Sequence, residues 1–321
     1  MSCCRPGFSI LLSSGKPMDR RTFIRITGAA AAGLVLTGIP AGASGCRGKR
    51  IPGGRMKGHF TMTQISSVAD TIGNSYLFRT SGGKVVMVDG GFPFEAENLR
   101  EHIAAVGNRV DLWFITHPHN DHHGALDEIL KDRRGIWIDT VVYSRLPDGF
   151  LSLEQGYDFY AREYYRTIDN NPGKTDFHDL HVPGARYDID GVGIMVLGVS
   201  NPEIRTNPFN NSSMILRFWD DSKSVLILGD AGVECGDKVL ASWRDYLDCD
   251  YLQVAHHGQN GCSEQFYKSI SFRACLWPTP TAVWDPAPGS LLKTLYTRRW
   301  MAEKGIAEHH VSCLEKDWVL R

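Results

Sequence analysis

The chain has 321 residues, of which 42% are hydrophobic and 22% are charged, and its 35 Lys and Arg nearly balance its 36 Asp and Glu. These proportions are ordinary for globular proteins, and they exclude collagen, wholesale disorder and a protein with many membrane spans. The formal net charge of −1 gives no electrostatic reason to expect an extended nucleic-acid groove. The eight cysteines include no CxxC pair, so a zinc ribbon or a thioredoxin-like site is not expected.

Residues 1–46 are predicted to form a leader and an export signal. The pair Arg20-Arg21 precedes Phe23, and an uncharged tract rich in Gly and Ala follows at 26–45. A basic region before a moderately apolar region is typical of a secretory signal, and the arginine pair resembles a twin-arginine signal. We therefore expect the twin-arginine export machinery as a partner. A membrane anchor is the competing interpretation, although the tract is barely long enough to span a bilayer.

The end of this tract reads Ala-Ser-Gly-Cys46, which resembles the lipobox of bacterial lipoproteins. Lipid at Cys46 would make the protein a membrane-anchored lipoprotein, whereas ordinary cleavage near 41–43 would release it into the periplasm. The sequence leaves these two alternatives open. Met18 stands directly before the basic region and is the expected translation start. Removal of residues 1–46 takes away five basic residues and one acidic residue, so the mature chain would carry −5.

Short strands and helices alternate between residues 58 and 321, after a short linker at 47–57. Strands are predicted at 75–79, 84–88, 110–116, 140–143, 193–199, 214–219, 224–228, 251–255, 274–277 and 310–313. Helices are predicted at 94–106, 124–131, 155–165, 237–247, 264–270 and 291–304. Two successive halves, each with strands and then helices, predict an α/β sandwich with helices outside. The segment 149–184, which contains several Tyr and Phe, is expected to be an insertion that shapes a pocket.

Four of the 12 histidines fall within seven positions, in the segment Thr-His-Pro-His-Asn-Asp-His-His-Gly-Ala-Leu at 116–126. This segment joins a predicted buried strand to a predicted helix, and functional side chains often lie in such a loop. Imidazoles with a carboxylate at close spacing suit a divalent metal of the zinc type. A solvent-exposed polar loop is the alternative. The clustering favours a metal site.

The spacing of His117, His119, Asp121 and His122 resembles the His-x-His-x-Asp-His signature of the metallo-β-lactamase superfamily. The resemblance implies a four-layer αβ/βα sandwich, the metallo-β-lactamase fold. It also implies that the two early histidines hold one metal, while Asp121 and His122 hold a second. His123 lies outside the signature and is expected to be exposed or to contact a ligand.

Three further segments carry the same resemblance. Asp89, in Val-Asp-Gly-Gly, is expected to orient the metal loop without binding metal, and Asp230, in Leu-Gly-Asp-Ala-Gly, is expected to bridge two metals. The strand that ends in His256-His257-Gly is expected to supply the last ligand of the second metal. We expect this ligand to be His256, because it stands nearest the strand end. Adjacent residues on a strand point to opposite faces, so one of the two histidines should face away from the metals. His257 is then a less favoured ligand or a proton donor to the leaving group.

These segments resemble one branch of the superfamily in particular, the hydrolase domain of competence-type DNA-internalisation proteins. Many superfamily members have another histidine between the first cluster and the bridging carboxylate, whereas this chain has Asn210-Asn211 there. Asn211 is therefore expected to assist the first metal indirectly, and partial occupancy of that metal is predicted.

The sequence thus predicts an exported metal-dependent hydrolase with one or two divalent ions, zinc above manganese or iron. A hydroxide held by the metals would be the nucleophile, with Asp121 helping to orient it. The resemblance implies a phosphodiester in a nucleotide or a short single strand, and the acidic mature chain favours a small substrate. A lactone, ester or β-lactam is the alternative substrate. A degenerate, non-catalytic exported binding module is the alternative of another class.

Overall fold

The computed structural model describes residues 53–171 and 175–321. The predicted leader, the export signal, Cys46 and most of the linker at 47–57 lie outside the described residues. In the part of the chain that is described, no helix has the length and apolar character that crossing a membrane requires.

The first sheet contains seven strands. They are β1 (Phe60–Gln64), β2 (Ser75–Thr80), β3 (Val85–Asp89), β4 (Arg109–Phe114), β5 (Trp137–Tyr143), β6 (Asp176–Asp179) and β14 (Trp318–Leu320). Their order across the sheet is β14-β1-β2-β3-β4-β5-β6, and β3 to β6 run parallel. The carboxyl ends of β3 and β4 therefore meet at one edge of the sandwich.

The second sheet also contains seven strands. They are β7 (Arg186–Ile189), β8 (Val192–Gly198), β9 (Ile215–Trp219), β10 (Ser224–Ile227), β11 (Tyr251–Gln253), β12 (Ala274–Trp277) and β13 (Glu308–Val311). Their order is β13-β12-β11-β10-β9-β8-β7, and β10 to β13 run parallel. Because β10 and β11 are parallel neighbours, their carboxyl ends are adjacent, as are those of β3 and β4.

Helices cover the outer faces of both sheets. They are α1 (Ala96–Ala105), α2 (Asn120–Lys131), α3 (Asp148–Leu151), α4 (Asp158–Asp169), α5 (Val233–Leu247), α6 (Glu264–Ser269), α7 (Thr281–Trp284) and α8 (Thr294–Glu303). The apolar residues of α1, α2 and α4 pack on the first sheet, and those of α5, α6 and α8 pack on the second.

The core has three apolar layers, because each sheet is buried on both faces. In β3, Val86 and Val88 face the second sheet, while Val85 and Met87 face the helices. This alternation follows from the two-residue period of a strand. A stacked pair of rings with centroids 3.9 Å apart, Phe78 and Phe218, joins the two sheets. The predicted α/β sandwich is confirmed.

Most predicted elements are present, but element boundaries near the histidines differ from the prediction. Helix α2 begins at Asn120, four residues before the predicted start, so part of the expected loop is helical. Strand β11 ends at Gln253, so the pair after it lies beyond the strand. The segment 149–184 forms α3 and α4 and also contributes β6 to the edge of the first sheet.

Candidate metal centre

The histidine loop, defined as residues 116–123, follows β4 and runs into α2. His119 is the N-cap of α2 and has an extended backbone, while Asp121 and His122 lie in the first helical turn. The change from extended to helical backbone directs these side chains to the edge where β3 and β4 end. The positive end of the helix dipole favours the negative charge of Asp121.

Asp89, at the end of β3, is the buried carboxylate that anchors the histidine loop. Its oxygens accept hydrogen bonds from Thr116 N–H at 2.8 Å and from Thr116 Oγ1 at 2.9 Å. One oxygen also lies 2.8 Å from His122 Nδ1. Burial raises the pKa of Asp89, and His122 together with Thr116 opposes that rise. Asp89 thus fixes the ring of His122, and it is not itself a member of a ligand group.

His117, His119 and Asp230 form the first ligand group, in which one side-chain nitrogen or oxygen per residue lies within 4.8 Å of the others. His117 Nε2 is 3.0 Å from His119 Nδ1 and 3.9 Å from Asp230 Oδ2. All three residues are buried. They could supply three ligands to one cation.

Asp121, His122, Asp230 and His257 form the second ligand group, which is completely buried. His122 Nε2 is 3.4 Å from Asp121 Oδ2 and 3.3 Å from Asp230 Oδ1. His257 Nε2 is 3.3 Å from Asp121 Oδ2 and 3.0 Å from Asp230 Oδ2. Asp230 belongs to both groups, so its carboxylate is placed to span two cations.

The donor atoms of the second group fit a divalent cation of the zinc type. Among the described residues, His122 Nε2, His257 Nε2 and Asp230 Oδ1 are buried, and none of their contacts with neighbouring side chains has the geometry of a hydrogen bond. Buried polar atoms are normally partnered, and a cation among these three would satisfy them. The opposite ring nitrogens are held by Asp89 and by the carbonyl of Pro278, which lies 2.9 Å from His257 Nδ1. That arrangement is typical of metal-binding histidines.

The carboxylates and imidazoles of the second group stabilise one another's charges. Burial opposes ionisation, but the neighbouring histidines hold the pKa values of Asp121 and Asp230 well below their usual range. Burial likewise lowers the pKa of His257, yet Asp230 and Asp121 raise it to about 9. Cation binding would therefore displace protons from the imidazoles.

The expected preference for His256 over His257 is not supported by the geometry. His256 Nε2 lies 3.9 Å from Asp230 Oδ2 and 3.3 Å from Asn210 Nδ2, and His256 belongs to neither ligand group. The expectation assumed that both residues continue a strand. Both instead have φ near +54°, in a turn after β11 that directs His257 inward.

Asn211 also lies elsewhere than expected. Its amide donates to Thr206 O and Glu234 Oε2 at 2.8 and 3.0 Å and accepts from Cys235 N–H at 3.0 Å. These contacts position the start of α5, and none of them is made to a proposed metal ligand. Its neighbour Asn210 faces the site, through His256.

His123 is not exposed, and although its backbone N–H donates to His119 O, its side chain belongs to neither ligand group. It is 2% exposed, and its ring stacks on Tyr164 with centroids 4.4 Å apart. Burial lowers the pKa of His123 to about 3. The extra histidine of the cluster is therefore a packing residue of α2.

Sequence reasoning missed two polar residues next to the ligands. Glu154 Oε2 lies 2.8 Å from His119 Nε2, although no local pattern in the insertion identifies it. Gln253 hydrogen-bonds to the segments that precede Asp230 and His257. Its signal was visible, because it is a single polar residue in an otherwise apolar strand.

Comparison with known proteins agrees with this architecture. The family model described as "Metallo-beta-lactamase superfamily" matches residues 68–304. No curated protein sequence matches the chain. Among solved structures, the metallo-β-lactamase fold protein YhfI from Bacillus subtilis has a TM-score of 0.50 at 15% identity, covering 81% of this chain and 98% of that chain.

A second similar structure belongs to a longer protein. CmlA, a diiron β-hydroxylase from Streptomyces venezuelae, has a TM-score of 0.51 at 14% identity. The match covers 82% of this chain and 54% of that chain. At such identities the likeness is one of fold.

Proposed function

Since the chain belongs to the metallo-β-lactamase superfamily, we propose that it is a metal-dependent hydrolase with two adjacent cation sites. The observation that carries the proposal is the position of Asp230, which belongs to both ligand groups. Its unpartnered oxygen, together with the unpartnered nitrogens of His122 and His257, supports a cation between them.

Divalent cations at these sites would lower the pKa of a bound water from 15.7 to about 7 and polarise the scissile bond. The residues of the chain hold and orient the reactants. Asp121 accepts a hydrogen bond from the attacking water, and Asp230 keeps the two sites at a fixed separation. His256 is 17% exposed beside both groups, so in this proposal it contacts the leaving group, the role first given to His257.

Zinc is the proposed metal, because the two groups offer imidazole nitrogens and carboxylate oxygens in a compact, buried arrangement. Manganese and iron also accept such ligands. One of the similar structures is a diiron enzyme, so iron is retained as an alternative. Metal analysis of the purified protein distinguishes the three.

The proposed substrate is a phosphodiester in a nucleotide or a short single strand, as in the competence-type domains that the sequence resembles. Two cations can stabilise both the attacking and the leaving oxygen of such a displacement. An ester or lactone is the second candidate, and two observations favour it. Among the described residues, no Lys or Arg forms an ion pair or hydrogen bond with either ligand group. The rings of Tyr157 and Phe209 adjoin His119.

Turnover of three generic substrates tests the activity. Zinc-loaded protein is incubated with bis(p-nitrophenyl) phosphate, a lactone and a chromogenic β-lactam. We expect hydrolysis of the phosphodiester, and we expect Asp121→Asn to reduce it by at least about 100-fold. Asp245→Asn is the matched control, because Asp245 is exposed in the last turn of α5 and belongs to neither group. Metal binding without turnover of any substrate would favour the non-catalytic binding module.

We also propose that the protein is exported through the twin-arginine machinery, either lipid-anchored at Cys46 or released into the periplasm. The sequence at 20–46 supports this proposal. A metal site assembled from distant segments suits export after folding. Mass spectrometry of the mature N-terminus tests it: a chain that begins at or near Cys46 supports export, and a chain that retains residues 20–45 contradicts it.

A further inference from the structure

Glu154 is a mostly buried carboxylate that belongs to neither ligand group and has no role in the chemistry proposed above. It lies between α3 and α4, and its side chain is 12% exposed. Its carbonyl accepts hydrogen bonds from the N–H groups of Tyr157 and Asp158, both at 3.1 Å. The turn that begins α4 therefore fixes the backbone of Glu154 beside the histidine loop.

Both carboxylate oxygens of Glu154 have partners. Oε2 lies 2.8 Å from His119 Nε2, and Oε1 accepts a hydrogen bond from Phe209 N–H at 2.6 Å. An ionised carboxylate can only accept hydrogen bonds, so a hydrogen bond at this contact requires the ring proton of His119 on Nε2. The free lone pair of His119 is then on Nδ1, the atom that lies 3.0 Å from His117 Nε2.

Two aromatic rings also adjoin the ring of His119. The ring centroid of Tyr157 is 5.0 Å away, and that of Phe209 is 5.2 Å away. Tyr157 lies in the same turn as Glu154. Phe209 is the residue whose N–H donates a hydrogen bond to Glu154. One carboxylate thus connects the insertion, the histidine loop and the segment before Asn210.

We propose that Glu154 is the positioning residue that selects the metal-binding tautomer of His119 and so sets the metal affinity of the first ligand group. The inference rests on the proposed function, because it requires a cation held by His117, His119 and Asp230. A carboxylate that accepts the second ring proton of a metal-binding histidine fixes the ring and makes its lone pair more basic. The first group has three ligands and the second has four, so the first depends more on this support.

NMR of the metal-free protein tests the tautomer without any metal. Long-range proton–nitrogen spectra of the imidazoles distinguish a proton on Nε2 from one on Nδ1. We expect His119 to carry its proton on Nε2 in the wild type. The Glu154→Ala variant should lose that preference, and Glu154→Gln, which keeps one acceptor oxygen, should retain part of it.

Titration with zinc or cobalt tests the affinity. Glu154→Ala should weaken the first site by about 10–100-fold, the usual cost of losing such a partner, and Glu154→Gln should weaken it by less, while both leave the second site unchanged. Glu163→Gln is the matched control, because it removes a charge from the same insertion at a surface pair with Arg166. This control should leave both sites unchanged.

The outcomes separate this inference from the proposed function. Wild-type protein that binds two cations, with Glu154 variants that keep both the tautomer and the first-site affinity, would overturn the role of Glu154 alone. Equal weakening of both sites would also overturn it, since that pattern indicates a general effect on the fold. Wild-type protein that binds no cation would overturn the proposed function and this inference together.

Discussion

Gln253 is a single buried side chain that positions two of the proposed ligands. Its amide accepts a hydrogen bond from Leu228 N–H at 2.7 Å and donates to Gly229 O at 2.9 Å and Val254 O at 2.8 Å. These bonds join the segment that leads to Asp230 to the segment that leads to His257. A fully partnered buried amide of this kind stabilises one arrangement over others.

Substitution of the two adjacent histidines distinguishes their roles. His257→Ala should weaken metal binding at the second group by more than about 100-fold, because loss of a supporting partner alone costs 10–100-fold. His256→Ala should leave metal affinity nearly unchanged and lower the rate of hydrolysis. Calorimetric titration with zinc and steady-state kinetics provide the comparison. The opposite pattern would restore the sequence-based preference for His256.

At the scale of elements, the strand ends and helix starts determine which side chains converge. The parallel strands β3, β4, β10 and β11 all end at one edge, and the histidine loop and the turn after β11 begin there. Packing between elements keeps these strand ends in register. Substitution of a residue that packs between elements should therefore lower the free energy of unfolding more than it alters the metal site.

Gly193 is one position where packing between strands leaves no space. It pairs with Trp219, and a Cβ added at Gly193 would lie 2.3 Å from Trp219 Cζ2. We expect Gly193→Ala to lower the free energy of unfolding by about 1–3 kcal/mol, the usual cost of overpacking. Gly149→Ala is the control, because a Cβ there meets no atom within 4 Å. Urea unfolding that gives equal stability for both variants would contradict this packing.

The pair of His102 and Asp317 connects α1 to the segment before β14. The hydrogen bond to Asp317 raises the pKa of His102 above its usual 6.5. Burial opposes ionisation of Asp317, but His102 nevertheless lowers the pKa of that carboxyl below 3.8. Stability from the raised His102 pKa is complete below pH 6.5 and is lost as the pH rises through the folded-state value. Stability from Asp317 is present above pH 3.8 and is lost in stronger acid.

Removal of this pair should therefore have a pH-dependent cost. We expect His102→Ala to lower the free energy of unfolding by on the order of 1 kcal/mol at pH 5.5, and by less at pH 8.5. His181→Ala is the control, because the side chain of His181, which pairs with Asp179, is 58% exposed. A His102→Ala cost that stays constant between the two pH values would contradict the pairing.

At the scale of the whole molecule, the two sheets supply different parts of the site. The histidine loop follows the first sheet, while Asp230 and His257 follow strands of the second. Cations bound between them would link the two halves of the sandwich. The insertion adds Glu154 from a third direction.

The sequence was most informative where chemistry is concentrated in a short segment. The His117–His122 spacing predicted the metal cluster, and the alternation of strands and helices predicted the sandwich. The sequence could not predict which member of the His256-His257 pair turns inward, because that choice depends on the left-handed turn after β11. It could not predict Glu154 either, since its contact with His119 spans 35 positions and requires the folded insertion.

Metal titration of the wild type and of Asp230→Ala tests the central claim most directly, because Asp230 is the residue shared by both ligand groups. We predict two zinc sites in the wild type, a tight one from the four-residue group and a weaker one from the three-residue group. Loss of the shared carboxylate should abolish or severely weaken both, with circular dichroism confirming that the variant is folded. Wild-type protein that binds no zinc, or an Asp230→Ala variant that binds zinc as the wild type does, would contradict the account.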